Sequence, residues 1–437
     1  MNRRDFLRVS SGAMLAGVPV NGLSELNGLT GYLERPESVY RWEKREARSL
    51  PTGTVQDLYL VSQTWHGETW DHRLQVFFPQ TITRPDTCLL YNTGGNGNRA
   101  EEQAGLAFAN LTGSPVAFLF GIPKQPLYGG LKEDALIVET WKRFLESGDE
   151  TWLLQFPMVK SVVKAMDAVQ EFTVKEKRPE IVRFVITGAS KRGWTAWLTG
   201  ASGDKRVMGI APMVIDMLNL RAQTRHQREV YGTYSEQVSD YTRAGMQEIL
   251  LSPRGDRLLQ LVDPYNYRDR LTLPKLIING TNDRYWTQDG LNLYWDGLRG
   301  EKRILYVPNS GHALEDRGRV LQTLTAFTRS LADQKPLPAL TWNYDHRKSE
   351  TVLTVESARS PENVLLWRVN APTQDFREAK WVSTPVMWKG KGGSVTIPAP
   401  VGGYSAVFAE ARFVESDGKP FTLSTQIAIL KSNQEKV

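Results

Sequence analysis

A single cysteine, Cys88, in 437 residues excludes an internal disulfide. It lies in the apolar run CLLYN (88–92), where it reads as a buried structural residue, too far from the terminus to carry a lipid. Histidine is scarce too, at five residues. None of His66, His72, His226, His312 and His346 belongs to a His/Cys/Asp cluster with ligand spacing, so neither a metal nor another cofactor is expected. No Lys/Arg run is long enough to suggest a nucleic-acid partner. The net charge is +6, and Arg3, Arg4 and Arg8 against Asp5 supply +2 of it. The rest reads as a solvated surface. Solenoid-type repeats are missing as well. A hydrophobic content of 41% at this length is that of a globular protein with room for two domains.

The first twenty residues, MNRRDFLRVSSGAMLAGVPV, read as a twin-arginine export signal: Arg3-Arg4, then Asp5-Phe6-Leu7-Arg8 and a short, weakly apolar stretch. That stretch is too short and too rich in glycine to span a membrane as a mature helix. No transmembrane segment is therefore expected in the mature chain. Val18-Pro19-Val20 is a poor cleavage site and leaves the cut position open. This route carries proteins already folded, which suits a disulfide-free enzyme in an oxidising periplasmic or extracellular space.

Residues 21–50 are charged and read as an irregular lead-in. TVQDLYLVSQTW (54–65) and HRLQVFFPQ (72–80) alternate as a hairpin at a sheet edge. TCLLYNTGGNGN (87–98) is an apolar strand running into a glycine-rich loop, and PVAFLF (115–120) is a short buried strand. ALIVETWKRFLES and FPMVKSVVKAMDAVQEF (156–172) have helical periodicity. Further strands are expected at RFVITGA, VMGIAPMVIDML (207–218), LPKLIINGTND (273–283) and KRILYVPNSGH (302–312). Strands alternating with helices predict a mostly parallel, doubly wound α/β sheet. The polar, helical segment at about 219–267 predicts a cap over the carboxyl side of that sheet, with a long helical crossover as the alternative. Pro336 and Pro338 mark a boundary. Beyond it, short strands broken by Gly and Pro predict an all-β domain over 336–437, of the immunoglobulin or fibronectin sandwich type.

Ser190 stands where the strand ending Gly188-Ala189 turns into the helix KRGWTAW. Asp283 and His312 each follow a later strand. Ser, acid, His is the chain order of the α/β-hydrolases, whose nucleophile sits on such a corner. In that scheme His312 takes the Ser190 proton and Asp283 holds the imidazole. Asp216, after the strand next to the nucleophile strand, is the rival acid. One oxyanion donor is the backbone N–H of Lys191, and the second is expected from Gly94, Gly95 and Asn96, unless those glycines only make a tight turn. The common elbow is G-x-S-x-G. Here Arg192 occupies the final glycine's place, with Gly193 one later, so the arginine is expected to point outward. Trp194 and Trp197 read as core.

GASKRGWTAW, FPMVKSVVKAMDAVQEF, PKQPLYGGLKEDALIVETW (123–141), APMVIDMLN (211–219) and VPNSGH (307–312) together resemble the PhoPQ-activated pathogenicity-related protein family, from about residue 35 to the end. In that family Ser-Lys-Arg-Gly is the usual elbow. The resemblance implies an exported serine hydrolase with a trailing β domain, and distant kinship to dipeptidyl-peptidase-type enzymes. It does not supply a substrate. Through the aminopeptidase-like relatives, Glu133 and Asp134 become candidates for holding a substrate's free amino group. The alternative is a helix start whose acids complement the dipole.

The expected activity is hydrolysis of a peptide or ester through an acyl-enzyme. A non-catalytic secreted binding or signalling protein on the same scaffold is the alternative. The aromatics Trp367, Trp381, Trp388 and Tyr404 could face a glycan, but a sandwich core explains them at less cost. Oligomeric state is not legible.

Overall fold

The structure, a computed structural model, describes residues 28–432. The twin-arginine segment assigned to residues 1–20 lies outside them. Runs in which successive residues are all apolar, such as Phe184–Ile186 and Leu276–Ile278, form strands buried on both faces. The sheet contains β1 (Arg41–Leu50), β2 (Gly53–Trp65), β3 (Glu68–Pro79), β4 (Thr87–Asn92), β5 (Val116–Leu119), β6 (Arg183–Ala189), β7 (Val207–Met213), β8 (Lys275–Gly280) and β9 (Lys302–Val307). Their order is β1-β2-β3-β5-β4-β6-β7-β8-β9. The β1, β2, β3 and β5 neighbours pair antiparallel, and every pairing from β5 to β9 is parallel. The β5-before-β4 exchange, with the antiparallel β1-β2-β3 meander at one edge, is the α/β-hydrolase layout.

The helices are α1 (Leu29–Glu34), α2 (Arg99–Thr112), α3 (Glu133–Ser147), α4 (Gln155–Lys175) and α5 (Lys191–Ala201), then α6 (Leu220–Tyr231), α7 (Ser239–Arg243), α8 (Met246–Leu251), α9 (Asp256–Val262) and α10 (Arg317–Ala332). Helices α6 to α9 occupy the 219–267 insertion. Among the described residues no helix is long and apolar enough to cross a membrane.

Two sequence expectations are corrected. Residues 21–50 were expected to be irregular, yet from residue 28 onward they form α1 and β1. RWEKREARSL is charged and mostly exposed, so it carries no apolar alternation; pairing with β2 makes it a strand, from Arg41↔Val61 to Leu50↔Gly53. The run 207–218 leaves the sheet at Met213 rather than at its end.

Beyond α10 the chain is all β. One sheet holds β10 (Leu340–His346), β11 (Glu350–Ser357), β14 (Trp388–Lys389) and β15 (Gly392–Pro398), in the order β10-β11-β15-β14. The other holds β12 (Asn363–Ala371), β13 (Val382–Pro385), β16 (Tyr404–Val414), β17 (Pro420–Ser424) and β18 (Ala428–Lys431). It packs directly on the α/β part. Tyr306 N–H donates to Ser424 Oγ at 3.0 Å, and Thr422 N–H to Thr323 Oγ1 at 3.1 Å. Phe376 and Trp381 are buried in the same apolar cluster as Tyr306. Trp381 is thus core, and so is Cys88 in β4.

Candidate active site

Small residues build the corner at Ser190. A Cβ on Gly188 would come within 2.6 Å of both Arg192 O and Asn92 Nδ2. One on Gly193 would come within 2.8 Å of Met213 O and Ile215 Cγ2. Only glycine lets β6 and α5 cross this closely, and Gly193 supplies what the common motif places one residue earlier. Between them Ser190 is held at φ 58°, ψ −127°, with its N–H on Met213 O at 2.9 Å. A left-handed φ at a non-glycine residue costs on the order of 1–3 kcal/mol, and the packing around it keeps it there. Asn92, fully buried at the end of β4, donates to Thr187 O (2.8 Å) and Arg192 O (3.1 Å) and ties the corner to the next strand. No sequence signal marks Asn92.

Asp283 and His312 come together from the loops after β8 and β9. His312 Nδ1 lies 2.8 Å from Asp283 Oδ2, and Asp283 Oδ1 accepts the N–H of Tyr285 at 2.9 Å. Asp283 is 4% exposed, so water competes little for its carboxylate. A carboxylate on Nδ1 fixes the proton there and leaves Nε2 free to accept. The Tyr285 ring covers the imidazole, centroids 4.3 Å apart and tilted by 32°. Ser190 Oγ makes no hydrogen bond among the described residues. Ser190 and Tyr285 line one cavity, while Ala189 and His312 line the next. The rival acid, Asp216, is 3% exposed and accepts the Tyr294 hydroxyl at 2.6 Å, not His312.

Arg192 does not point outward. Its side chain is 12% exposed, packs against Gly94 and forms a two-pronged pair with Glu133 at 2.8 and 2.7 Å. Burial works against ionisation of Glu133, but hydrogen bonds and charge from Arg192 prevail and hold its pKa down at about 2. Asp134 receives Lys191 Nζ at 3.2 Å and the Tyr241 hydroxyl at 3.1 Å. Both acids of the α3 start therefore face cations of the α5 start. Lys191, the first residue of α5, has a backbone N–H with no acceptor inside the helix. Gly95 and Asn96 are not brought to the Ser190 cavity; they line a separate one with Arg73 and Lys124, and Asn96 O accepts from Arg73. The residue of that loop that meets the elbow is Gly94, because Arg192 needs the space a side chain would fill.

The Ser190 cavity, of about 80 Å³, lies between α3, α5, the stretch after β7, the α6–α8 insertion and the Tyr285–Trp286 loop. Trp194 belongs to its wall, whereas Trp197 is wholly core.

The sequence profile of the PhoPQ-activated pathogenicity-related proteins matches residues 29–377. Autocrine proliferation repressor protein A of Dictyostelium discoideum is 32% identical over 425 residues, spanning 88% of this chain and 86% of that protein. Among solved structures, acetyl xylan esterase 1 of a Thermoanaerobacterium species superposes with a TM-score of 0.49 at 17% identity, over 69% of this chain and 91% of its own. Acylaminoacyl peptidase of Pyrococcus horikoshii gives 0.41 at 14%, over 66% of this chain and 48% of its own.

Proposed function

The chain belongs to the PhoPQ-activated pathogenicity-related protein family, and we propose that it is a serine hydrolase cleaving an ester or peptide through Ser190, His312 and Asp283. The observation that carries this reading is the combination at one end of the sheet. A serine sits on a strained left-handed corner at the end of β6, and the loops after β8 and β9 bring up a buried carboxylate and the imidazole whose Nδ1 it holds.

In the proposed reaction His312 Nε2 takes the Ser190 hydroxyl proton as Oγ bonds to the substrate carbonyl carbon. The resulting oxyanion faces the Lys191 N–H at the start of α5. Collapse breaks the bond to the leaving group, which departs with the proton from His312. Water then repeats the sequence, the acid is released and Ser190 regains its proton. Asp283 keeps the imidazole in the required tautomer and stabilises its charged form. On this reading the catalytic part runs to about residue 335 and the β part begins at 336. Export through the Arg3-Arg4 segment belongs to the same proposal.

Labelling with a fluorophosphonate probe tests it without knowledge of the substrate. The native chain should be labelled and Ser190→Ala should not, with an unchanged melting temperature. Equal labelling of Ser190→Ala would move the nucleophile elsewhere. No labelling of the native chain would favour a binding or signalling protein on a hydrolase scaffold.

A further inference from the structure

The cavity beside Ser190 has a wall of distinct chemistry. Trp141, Trp194, Ile215, Met217, Leu250 and Tyr285 give it a hydrocarbon and aromatic lining. Most of its polar side chains are engaged with the protein itself, and the unpaired groups on the wall, the Tyr234 hydroxyl, Gln247 Oε1 and Trp286 Nε1, carry no charge. Gln223 Nε2 donates to Gly290 O and Gln227 Nε2 to Tyr285 O, both at 2.8 Å; Thr224 Oγ1 donates to Leu220 O at 2.7 Å; and Gln247 Nε2 donates to Thr242 Oγ1 at 2.9 Å. The two charged groups on the wall, Asp134 and Lys191, face each other at 3.2 Å. A charged ligand group entering here would lose water and meet no unpaired opposite charge.

The cavity also has a direction. The leaving group must end near His312, which gives it a proton. His312 is not part of this wall; it lines the neighbouring cavity with Ala189. The space running from Ser190 beneath α6, α7 and α8 is therefore on the acyl side of the scissile bond.

Resting on the serine-hydrolase reading above, we propose that this cavity is an acyl pocket for an uncharged, apolar acyl group of medium length or with an aryl end. Substrates with a free amino terminus or a carboxylate in the acyl part are excluded. Glu133 and Asp134 are already paired with Arg192 and Lys191, so a substrate ammonium would meet carboxylates whose charge is neutralised.

The test is a series of p-nitrophenyl esters: acetyl, hexanoyl, decanoyl and phenylpropanoyl, set against glycyl (free amine) and hemisuccinyl (free carboxylate). Fluorophosphonate titration counts the active serine in each preparation. Each buried methylene is worth about fourfold in kcat/KM while it finds wall to touch. Hexanoyl or phenylpropanoyl should thus exceed acetyl by at least about tenfold, with both charged acyl groups below acetyl. Val238→Trp, which adds bulk to the wall, should lower the hexanoyl-to-acetyl ratio, and Leu250→Ala should shift the optimum towards decanoyl. Full titration with acetyl or glycyl fastest, or a chain-length order untouched by both variants, would overturn the acyl assignment alone. No titration and no turnover would overturn the serine reading and this one with it.

Discussion

Asn309 and Trp381 exchange two hydrogen bonds: the Asn309 amide donates to Trp381 O at 3.1 Å, and Trp381 N–H donates to Asn309 Oδ1 at 2.8 Å. Asn282, next to Asp283, donates in the same way to Phe376 O, Arg377 O and Ala379 O at 3.3, 3.2 and 2.8 Å. One short segment of the β part thus grips the loops carrying both the acid and the histidine. Arg377 in that segment also stacks on Tyr231 of the α6 insertion, 4.1 Å from its ring centre.

Asn309 has φ 53°, so Asn309→Gly keeps the backbone preference and removes only the amide bonds to Trp381. A histidine loop freed from its clamp should lower kcat by about ten- to a hundredfold, with KM little changed. Steady-state kinetics on the titrated enzyme decide it. An unchanged kcat would make the grip purely a matter of stability.

Asp283→Asn should reduce turnover by roughly 10³–10⁴, because an amide can hold the wrong imidazole tautomer. Asp216→Asn should be far milder, since Asp216 meets Tyr294 and not His312. A reversed order of the two variants would reassign the acid.

Burial raises the Asp216 carboxyl from 3.8 to about 7, with the Tyr294 hydrogen bond opposing and Asp283 and Asp289 adding to the rise. The folded chain therefore binds this proton more tightly than the unfolded chain. The associated stability is complete below about pH 3.8 and is lost as pH climbs through about 7. Urea unfolding at pH 5 and pH 8.5 should show Asp216→Asn gaining on the native chain at the higher pH by a few kcal/mol at most. A stability difference independent of pH would refute the shift.

Glu133→Gln leaves the Arg192 guanidinium, 12% exposed, without its carboxylate. Glu133 is 40% exposed, so screening limits the loss to about 1 kcal/mol. Because Arg192 braces Gly94 beside the elbow, probe labelling should slow as well. Denaturant midpoints and labelling rates measure the two effects separately.

Arg3→Lys combined with Arg4→Lys preserves the charge and removes the guanidinium pair. Folded precursor should accumulate in the cytoplasm, read by cell fractionation. Normal delivery of the double variant would show that the segment works by another route.

What the sequence alone determined was local. Apolar runs such as Phe184–Ile186 announce buried strands, and a serine between small residues at a strand end announces a corner. The order Ser190, Asp283, His312 follows from the order of the strands and needs no knowledge of their neighbours. What only the tertiary structure decided involves partners far apart in the chain. The charged run Arg41–Leu50 becomes a strand because β2 offers it a partner, a fact that no periodicity within the run records. Arg192 turns inward because Glu133, 59 residues away, awaits it beneath Gly94. Asn282 and Asn309 look like ordinary loop residues until carbonyls 72 to 97 residues downstream arrive to receive them. Hydrogen bonds and ion pairs are short-ranged, and a linear pattern does not specify which distant group will fill a given site. Folding does, by bringing β2 to β1, the start of α3 to that of α5, and the β part onto the sheet.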